Sequence, residues 1–112
     1  MIKNREHKNK RGRTTMSYAR LVMLNLGSGM RTNALKILSE MEPLTEAKQG
    51  FEKIYAFGND DTGEYGAFIL WDTKEAAEAT KDALLPVLKS KTSGIAKSPP
   101  DEKLFEVYSL NK

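Results

Sequence analysis

The stretch Gly66–Thr80, GAFILWDTKEAAEAT, decides the fold because it holds a strand, a corner and the start of a helix. The five residues after Gly66 are apolar or aromatic, which predicts a buried strand that ends at Trp71. Asp72 then takes the N-cap position and Glu75 follows three residues later, as in a capping box, ahead of an alanine-rich helical pattern. The stretch therefore places Trp71 at a strand-to-helix corner.

The composition bounds the class of protein around this stretch. The length of 112 residues predicts one domain. Such a domain is long enough to bury a core of its own and short enough to gain stability from a partner. It has no cysteine, which excludes disulfides, thiolate metal sites and a cysteine nucleophile, and a reducing cytoplasm is the expected compartment. No apolar run approaches the roughly 18 residues that span a membrane, so no membrane segment is predicted.

The net charge of +3 is unevenly distributed along the chain. Residues 1–16 hold six basic side chains against the single acid Glu6, and the rest of the chain is slightly acidic. We expect residues 1–16 to be a basic disordered tail and residues 17–112 to be the folded domain. A chain that starts at Met16 would begin just before the first strand. The alternative interpretation of residues 1–15 is therefore that they come from the choice of an upstream start.

A basic tail could also bind nucleic acid by neutralising phosphates. This tail has no aromatic residue to stack on bases, and its pattern holds nothing beyond charge. Nucleic acid is therefore not the expected partner. Loss of salt-dependent binding after truncation at Met16 would be needed to support that role.

The rest of the chain predicts four further elements, which complete the order β-α-β-β-α-β. The predicted strands are Tyr18–Leu26, Phe51–Phe57, Tyr65–Trp71 and Leu104–Leu110, and the helices run from Met30 and from Lys74 to about Ser90. Pro43 is expected to stop or kink the first helix, and Pro86 to break the second into two pieces. Residues 59–63 predict a polar loop between two strands of a hairpin, and residues 92–103 a longer loop.

This order predicts an α+β, ferredoxin-like fold: a four-stranded antiparallel sheet with two helices on one face. The strands do not alternate polar with apolar residues, as a sheet with one face in water should. In the third strand Ile69 and Trp71 point one way, whereas Phe68 and Leu70 point the other. Two helices cover only one face, so we expect the other face to pack against the sheet of an identical subunit in a homodimer.

The element order, Gly50 ahead of the second strand, and ILW followed by DTKEAAEA resemble the antibiotic biosynthesis monooxygenase family of dimeric α+β barrels. The resemblance covers roughly residues 17–110. Some members of that family oxidise aromatic polyketides or quinols with molecular oxygen and no cofactor, others degrade haem, and many have no assigned activity. The haem-degrading members use an Asn, a Trp and a His. Trp71 matches the Trp, and Asn25 lies on the first strand, where the Asn is expected. The only histidine of the sequence is His7, which lies in the tail. Haem degradation is therefore disfavoured, because an axial imidazole is missing from the body of the chain.

For cofactor-independent oxygenation, the resemblance implies a pocket between sheet and helices that deprotonates a phenolic or enolic substrate and shields the anion. The candidate catalytic residues are Asn25, as a hydrogen-bond partner to an oxygen, and Trp71, as a wall of the pocket. Tyr65 and Tyr108 are candidate hydroxyl donors, and Arg20 is the candidate that holds an anionic substrate. No cofactor and no metal are expected.

Each candidate also has a structural interpretation. Trp71 can be core packing, Asn25 can cap the turn that follows the first strand, and the tyrosines can lie in the dimer interface. Arg20 can end in solvent or pair with an acid such as Glu106. Asp60, Asp61 and Glu64 could attract a divalent cation, but their spacing fits no EF-hand loop and predicts a solvated hairpin.

Two functions from different classes therefore stand for the folded domain. The first is a small cofactor-independent monooxygenase that acts on an aromatic or quinol-type metabolite. The alternative is a non-catalytic dimeric domain that binds a small apolar ligand, in stress response or regulation. The body of the chain has no histidine to act as a base, which leaves the proton acceptor of the first function unidentified.

Overall fold

A computed structural model describes residues 17–110, so the basic tail of residues 1–16 lies outside the described part of the chain. Six elements follow one another in the predicted order β-α-β-β-α-β. They are β1 (Ser17–Asn25), α1 (Arg31–Glu46), β2 (Phe51–Asn59), β3 (Glu64–Trp71), α2 (Lys74–Thr92) and β4 (Asp101–Val107). Within residues 17–110, no helix is long and apolar enough to cross a membrane.

The four strands form one antiparallel sheet in the order β2-β3-β1-β4. Even-numbered residues of β1 and odd-numbered residues of β3 face the two helices. Val22 lies opposite Ala67, and Leu24 lies opposite Tyr65. All four of these residues belong to the buried core. The helices contribute the other half of that core through their apolar stripes, with Ala34, Ile37 and Met41 from α1 and Ala77, Leu84 and Leu88 from α2. This is the ferredoxin-like architecture that the element order predicts.

A β-bulge in β2 changes the predicted face of one aromatic residue. Strict alternation puts Phe51 on the same face as Tyr55 and Phe57, but the register shifts between Phe51 and Lys53. Phe51 therefore turns toward the helices and meets Trp71 edge to face, with ring centroids 5.9 Å apart. The extra residue reverses the alternation of side chains at this point, which a period of two cannot anticipate.

Neither proline ends its helix. The prediction that Pro86 breaks the second helix is therefore wrong, and Pro43 does not stop the first helix. α2 runs unbroken from Lys74 to Thr92 with Pro86 exposed inside it, and α1 continues past Pro43 to Glu46. The buried stripe of α2 continues on both sides of Pro86, through Leu84 and Leu88. Burial of that stripe outweighs the one backbone hydrogen bond that a proline removes.

Replacement of Pro86 by alanine is therefore expected to stabilise the protein by about 2 kcal/mol, because alanine restores a backbone donor in an exposed helix interior. The comparison is the midpoint of urea unfolding for the wild type and for Pro86→Ala. An Ala83→Gly substitution, also exposed in α2, serves as the opposite control and should lower the midpoint. An unchanged midpoint in Pro86→Ala would show that the helix already compensates for the missing donor.

The corner after β3 starts α2 at Lys74, as predicted, but with a different N-cap residue. The N-cap is Thr73, whose Oγ1 accepts a hydrogen bond from the amide of Ala76 at 3.1 Å, and not Asp72. Asp72 instead donates its backbone amide to the carbonyl of Gly50 at 2.9 Å. Gly50 has φ +90°, and a Cβ there would lie 2.5 Å from the Cβ of Ala76. A glycine at position 50 therefore lets β2 start tightly against the beginning of α2.

β4 begins three residues earlier than predicted and ends three residues earlier. The charged residues 101–103 belong to the strand because they pair with Met23, Val22 and Leu21 of β1. At the other end, Val107 pairs with Ser17, where β1 begins. The available partner strand, and not local hydrophobicity, determines the span of β4.

Candidate functional site

A cavity of about 140 Å³ lies between the two helices and the sheet, as the family resemblance implies. The sheet and both helices contribute to its wall, which is mostly apolar. The sheet supplies Arg20, Val22, Ile54, Ala56, Ala67, Ile69 and Glu102, and the helices supply residues that include Leu35, Leu38, Met41, Glu42, Thr45, Thr80, Lys81, Leu84 and Leu88.

Two helix hydroxyls in this wall are bonded to their own helices. Thr45 Oγ1 donates to the carbonyl of Met41 at 2.9 Å, and Thr80 Oγ1 donates to the carbonyl of Ala76 at 2.8 Å. Both hydroxyl hydrogens are therefore satisfied one turn back along each helix. These threonines are therefore buried without needing a ligand.

The buried charges of the cavity are Arg20 and Glu102. Arg20 Nε donates to Glu102 Oε1 at 3.0 Å, and the two side chains are only 6% and 8% exposed. Arg20 lies on β1 and Glu102 on β4, with 82 residues between them in the sequence. A second guanidinium nitrogen, Arg20 Nη1, is buried and has no hydrogen-bond partner among the described residues. A buried donor without an acceptor is costly, so this nitrogen is a site where an oxygen atom would bind favourably.

The environment of Glu102 opposes its ionisation. Burial raises the pKa of this carboxyl above its ordinary value of 4.5, and the positive charges of Arg20, Lys81 and Lys89 only partly offset that effect. The carboxyl therefore binds a proton more readily than an exposed glutamate does. A cavity with such a group has a proton acceptor that the sequence did not identify.

Arg20 is the predicted site residue that lines the cavity. Its acidic partner is Glu102 and not the predicted alternative Glu106, which accepts a hydrogen bond from the Tyr108 hydroxyl at 2.7 Å. Arg20 lies opposite Leu104 on β4, so both acids flank it along that strand. Glu106 is exposed, whereas Glu102 points into the layer between sheet and helices.

Trp71 is fully buried, with 0% exposure, at the end of β3. It shares the helix-facing side of the sheet with Arg20 and packs against Phe51, but it is not part of the cavity wall. Its indole Nε1 has no hydrogen-bond partner among residues 17–110. The structure therefore places Trp71 in the core next to the cavity, and its role as a substrate wall stays a prediction.

Tyr65 links two loops at the other end of the sheet. Its hydroxyl donates to Asp60 Oδ1 at 2.5 Å and accepts from the amide of Met30 at 3.0 Å, while Asp60 Oδ1 also accepts from the amide of Arg31. Burial, followed by the hydrogen bond to Asp60, raises the pKa of the Tyr65 hydroxyl. Tyr65 and Asp60 thus satisfy two amides at the start of α1, where Met30 provides no side-chain cap. A tyrosine in this arrangement acts as a structural link, away from the cavity.

Asn25 and Tyr108 also lie outside the cavity wall. Asn25 is exposed at the end of β1, opposite Glu64, and its carbonyl accepts the amide of Lys97 at 2.7 Å. Tyr108 follows β4 and is 67% exposed. Its hydrogen bond to Glu106 raises the pKa of its hydroxyl. The structure brings neither residue together with Arg20 or Trp71 within one chain, and their assignment to the site stays a prediction.

Sequence reasoning missed Glu102, Lys81 and Glu42 as residues of the cavity. Glu102 falls in a segment predicted as loop, within the charged sequence DEK, where an acid looks like an ordinary solvated residue. The one available signal was an arginine in the middle of an apolar strand, because a buried arginine requires a buried acid. That signal predicts the existence of the partner and not its position.

The acidic loop of the hairpin is the part of the sequence that offered acids for a divalent cation. Residues 17–110 contain no cluster of three acidic or histidine side chains that could hold a metal ion. Asp60, one of the three acids considered, is occupied by hydrogen bonds to Tyr65 and Arg31.

Comparison by sequence finds no family model and no curated protein that matches the chain. Solved structures match its fold over most of its length. A protein of unknown function from Nitrosomonas europaea superposes with a TM-score of 0.72 at 18% identity, over 88% of this chain and 95% of that one. A candidate antibiotic biosynthesis monooxygenase of the same bacterium has a TM-score of 0.69 at 11% identity, over 86% and 94%. A monooxygenase of Streptomyces coelicolor, solved in complex with nanaomycin D, has a TM-score of 0.63 at 13% identity, over 88% and 93%.

Proposed function

We propose, from the premise that this chain has the fold of the antibiotic biosynthesis monooxygenases, that it oxidises a small aromatic or quinol-type metabolite with molecular oxygen and without a cofactor. The site is the cavity between sheet and helices. The observation that carries the proposal is Arg20, a buried cation on the cavity wall with one donor nitrogen unsatisfied. A phenolate or enolate oxygen is the kind of acceptor that such a nitrogen binds.

The volume of the cavity limits the substrate to about one ring. Ligand pockets commonly measure about 300–1,000 Å³, whereas an apolar cavity of about 150 Å³ is known to bind benzene. The present cavity, at about 140 Å³, is of the second kind. We therefore infer a single-ring phenol or hydroquinone as the substrate.

The chemistry needs no external reductant. Loss of the hydroxyl proton leaves an electron-rich ring whose carbon forms a bond to oxygen, and the oxygen–oxygen bond then breaks. One oxygen atom stays on the ring, and the other leaves as water with two hydrogens from the substrate. A phenol becomes a quinone, and a hydroquinone becomes a hydroxyquinone, with one molecule of oxygen consumed per substrate. Arg20 stabilises the anion, and the apolar wall shields it from water.

The test is oxygen uptake with a panel of single-ring phenols and hydroquinones. The expected result is one oxygen consumed per substrate without hydrogen peroxide, which separates the reaction from autoxidation. Arg20→Lys keeps the charge but loses the planar guanidinium, and it should reduce turnover by about 100-fold. Arg31→Lys, an exposed arginine at the start of α1, is the matched control and should keep full turnover.

Binding of a phenol without oxygen uptake would contradict the oxygenase and favour the alternative, a domain that only binds a small ligand. The observation that favours this alternative is the lack of a histidine within the described residues. Failure of every phenol to bind would contradict both functions.

We also propose that the protein is a homodimer through the open face of the sheet. That face carries Tyr55, Phe57 and Phe105, which are 41–51% exposed, and Phe68, which is partly buried. The register places these residues on the side of the sheet away from the helices. An exposed aromatic face of this kind is typical of an interface between subunits.

Substitution of Phe57 by glutamate is expected to convert the dimer to a monomer, because it places a charge in the apolar face. Sedimentation equilibrium at micromolar concentration measures the mass. Leu44→Glu, at a 41% exposed position on α1, is the matched control and should leave the dimer intact. A monomeric wild type at that concentration would show that the open face is not a subunit interface.

A further inference from the structure

Four ionisable side chains line the cavity: Arg20, Glu42, Lys81 and Glu102. Glu42 and Lys81 are exposed at its rim, while Arg20 and Glu102 are buried in its wall. The oxygenase proposed above needs an acceptor for the proton of its substrate, and an arginine cannot serve because it stays protonated. Glu102 is therefore the buried group in the wall that can take up a proton.

The hydrogen bond between the two residues leaves one atom of each available. Glu102 uses Oε1 to accept from Arg20 Nε, and its second carboxylate oxygen accepts no hydrogen bond from the described residues. On the other side of the pair, Arg20 Nη1 has no acceptor. A free acceptor and a free donor thus belong to one hydrogen-bonded pair on one cavity wall. A hydroxyl group, which is both donor and acceptor, matches this combination.

We propose that Glu102 is the general base of the site. When it takes up the proton, the substrate oxyanion replaces the Glu102 carboxylate as the anion that pairs with Arg20. This inference rests on the proposed function, because it concerns the same substrate. The oxygen–hydrogen bond of the phenol breaks, and the proton goes to the free oxygen of Glu102. The electron pair stays on the phenol oxygen, which accepts a hydrogen bond from Arg20 Nη1.

The exchange conserves charge inside the buried site. Before the transfer, the Arg20 guanidinium pairs with the Glu102 carboxylate. After the transfer, the guanidinium pairs with the phenolate, and Glu102 is a neutral carboxylic acid. A net charge in the cavity would be costly, and this step creates none. The burial that raises the pKa of Glu102 narrows the gap to the pKa of a phenol, which favours the transfer.

The charges around Glu102 come from each neighbouring element. Arg20 faces it from β1, Lys81 and Lys89 from α2, and Asp101 precedes it on β4. Glu42 of α1 lines the same cavity. The three cations favour the carboxylate, whereas burial and Asp101 favour its protonated form, so Glu102 takes up a proton more readily once Arg20 gains a second anion.

The experiment uses 4-nitrophenol as the probe, because its phenolate absorbs at a longer wavelength than the phenol. The wild type is titrated at a pH below the pKa of the free probe. We expect the bound probe to be the phenolate, with no proton released to the buffer. Calorimetry in two buffers of different ionisation enthalpy measures that proton balance, and quenching of Trp71 fluorescence measures binding independently.

Glu102→Gln should bind the probe but leave it as the neutral phenol, since the amide has no site for the proton. Glu102→Asp keeps a carboxylate and should restore the phenolate in part. Glu46→Gln, which neutralises an exposed acid at the end of α1, is the matched control and should behave as the wild type. If Glu102→Gln does not fold, the proton balance of the wild type still shows whether the proton of the probe stays in the protein or enters the buffer.

Three outcomes would overturn the assignment of Glu102. They are a neutral phenol bound to the wild type, a phenolate bound with one proton released to the buffer, and equal ionisation of the probe by wild type and Glu102→Gln. Absence of any binding, by fluorescence and calorimetry, would instead overturn the proposed function itself. The two failures are therefore distinguishable.

Discussion

Arg20→Met is expected to lower the free energy of unfolding by about 3 kcal/mol at neutral pH, because it leaves Glu102 as a buried charge without its partner. Both side chains are less than a tenth exposed, so water compensates little for the loss. The measurement is urea unfolding, with the linear slope compared between variants.

The double variant Arg20→Met/Glu102→Gln should recover most of this loss, since neutral groups of similar volume often replace a buried ion pair at little cost. A double variant as unstable as Arg20→Met would indicate that the packing of the arginine stem, and not its charge, stabilises the cavity wall.

The pH dependence of the Arg20→Met effect follows from the carboxyl it leaves behind. The folded pKa of Glu102 already lies above 4.5, and removal of the Arg20 charge raises it further. A raised folded pKa contributes stability that is present below the unfolded pKa and is lost as pH rises through the folded value. The destabilisation should therefore be greatest at neutral pH and shrink as pH falls toward 4.5. A deficit independent of pH over this range would contradict the assignment to Glu102.

Trp71→Ala is expected to destabilise the protein by about 4 kcal/mol, through lost burial and the cavity left in the core. The side chain is 0% exposed and supports Phe51 where the bulge turns that ring inward. Trp71→Phe should cost much less, since the indole Nε1 donates no hydrogen bond to any described residue. Leu44→Ala, a partly exposed position on α1, provides the comparison and should be close to neutral.

The two Trp71 variants also test the role of this residue in function. If Trp71→Phe folds and keeps full turnover, the residue is core packing and not a wall of the substrate site. Full stability of Trp71→Ala would contradict its place in the core.

Local patterns were sufficient for the order of the elements and for most faces of the sheet. The alternation in residues 65–71 placed Ile69 and Trp71 on one face of the sheet, which the structure shows to be the face that packs against the helices. The helical spacing of Ala34, Ile37 and Met41 matches the buried stripe of α1. These features depend on periods of two and 3.6 residues, which the sequence carries directly. The apolar character of both sheet faces was readable for the same reason.

Features that depend on pairing with distant residues required the tertiary structure. The extent of β4 follows from its pairing with β1, and the continuity of α2 through Pro86 follows from the burial of its stripe against the sheet. The pairing of Arg20 with Glu102 joins residues 82 positions apart, and two acids on β4 were within reach of the arginine. The sequence by itself determined the order of the elements and the presence of a cation on an otherwise apolar strand, because these are local properties. Only the tertiary structure decided which acid meets it and how much space remains beside the pair, because strand register and helix packing place those groups.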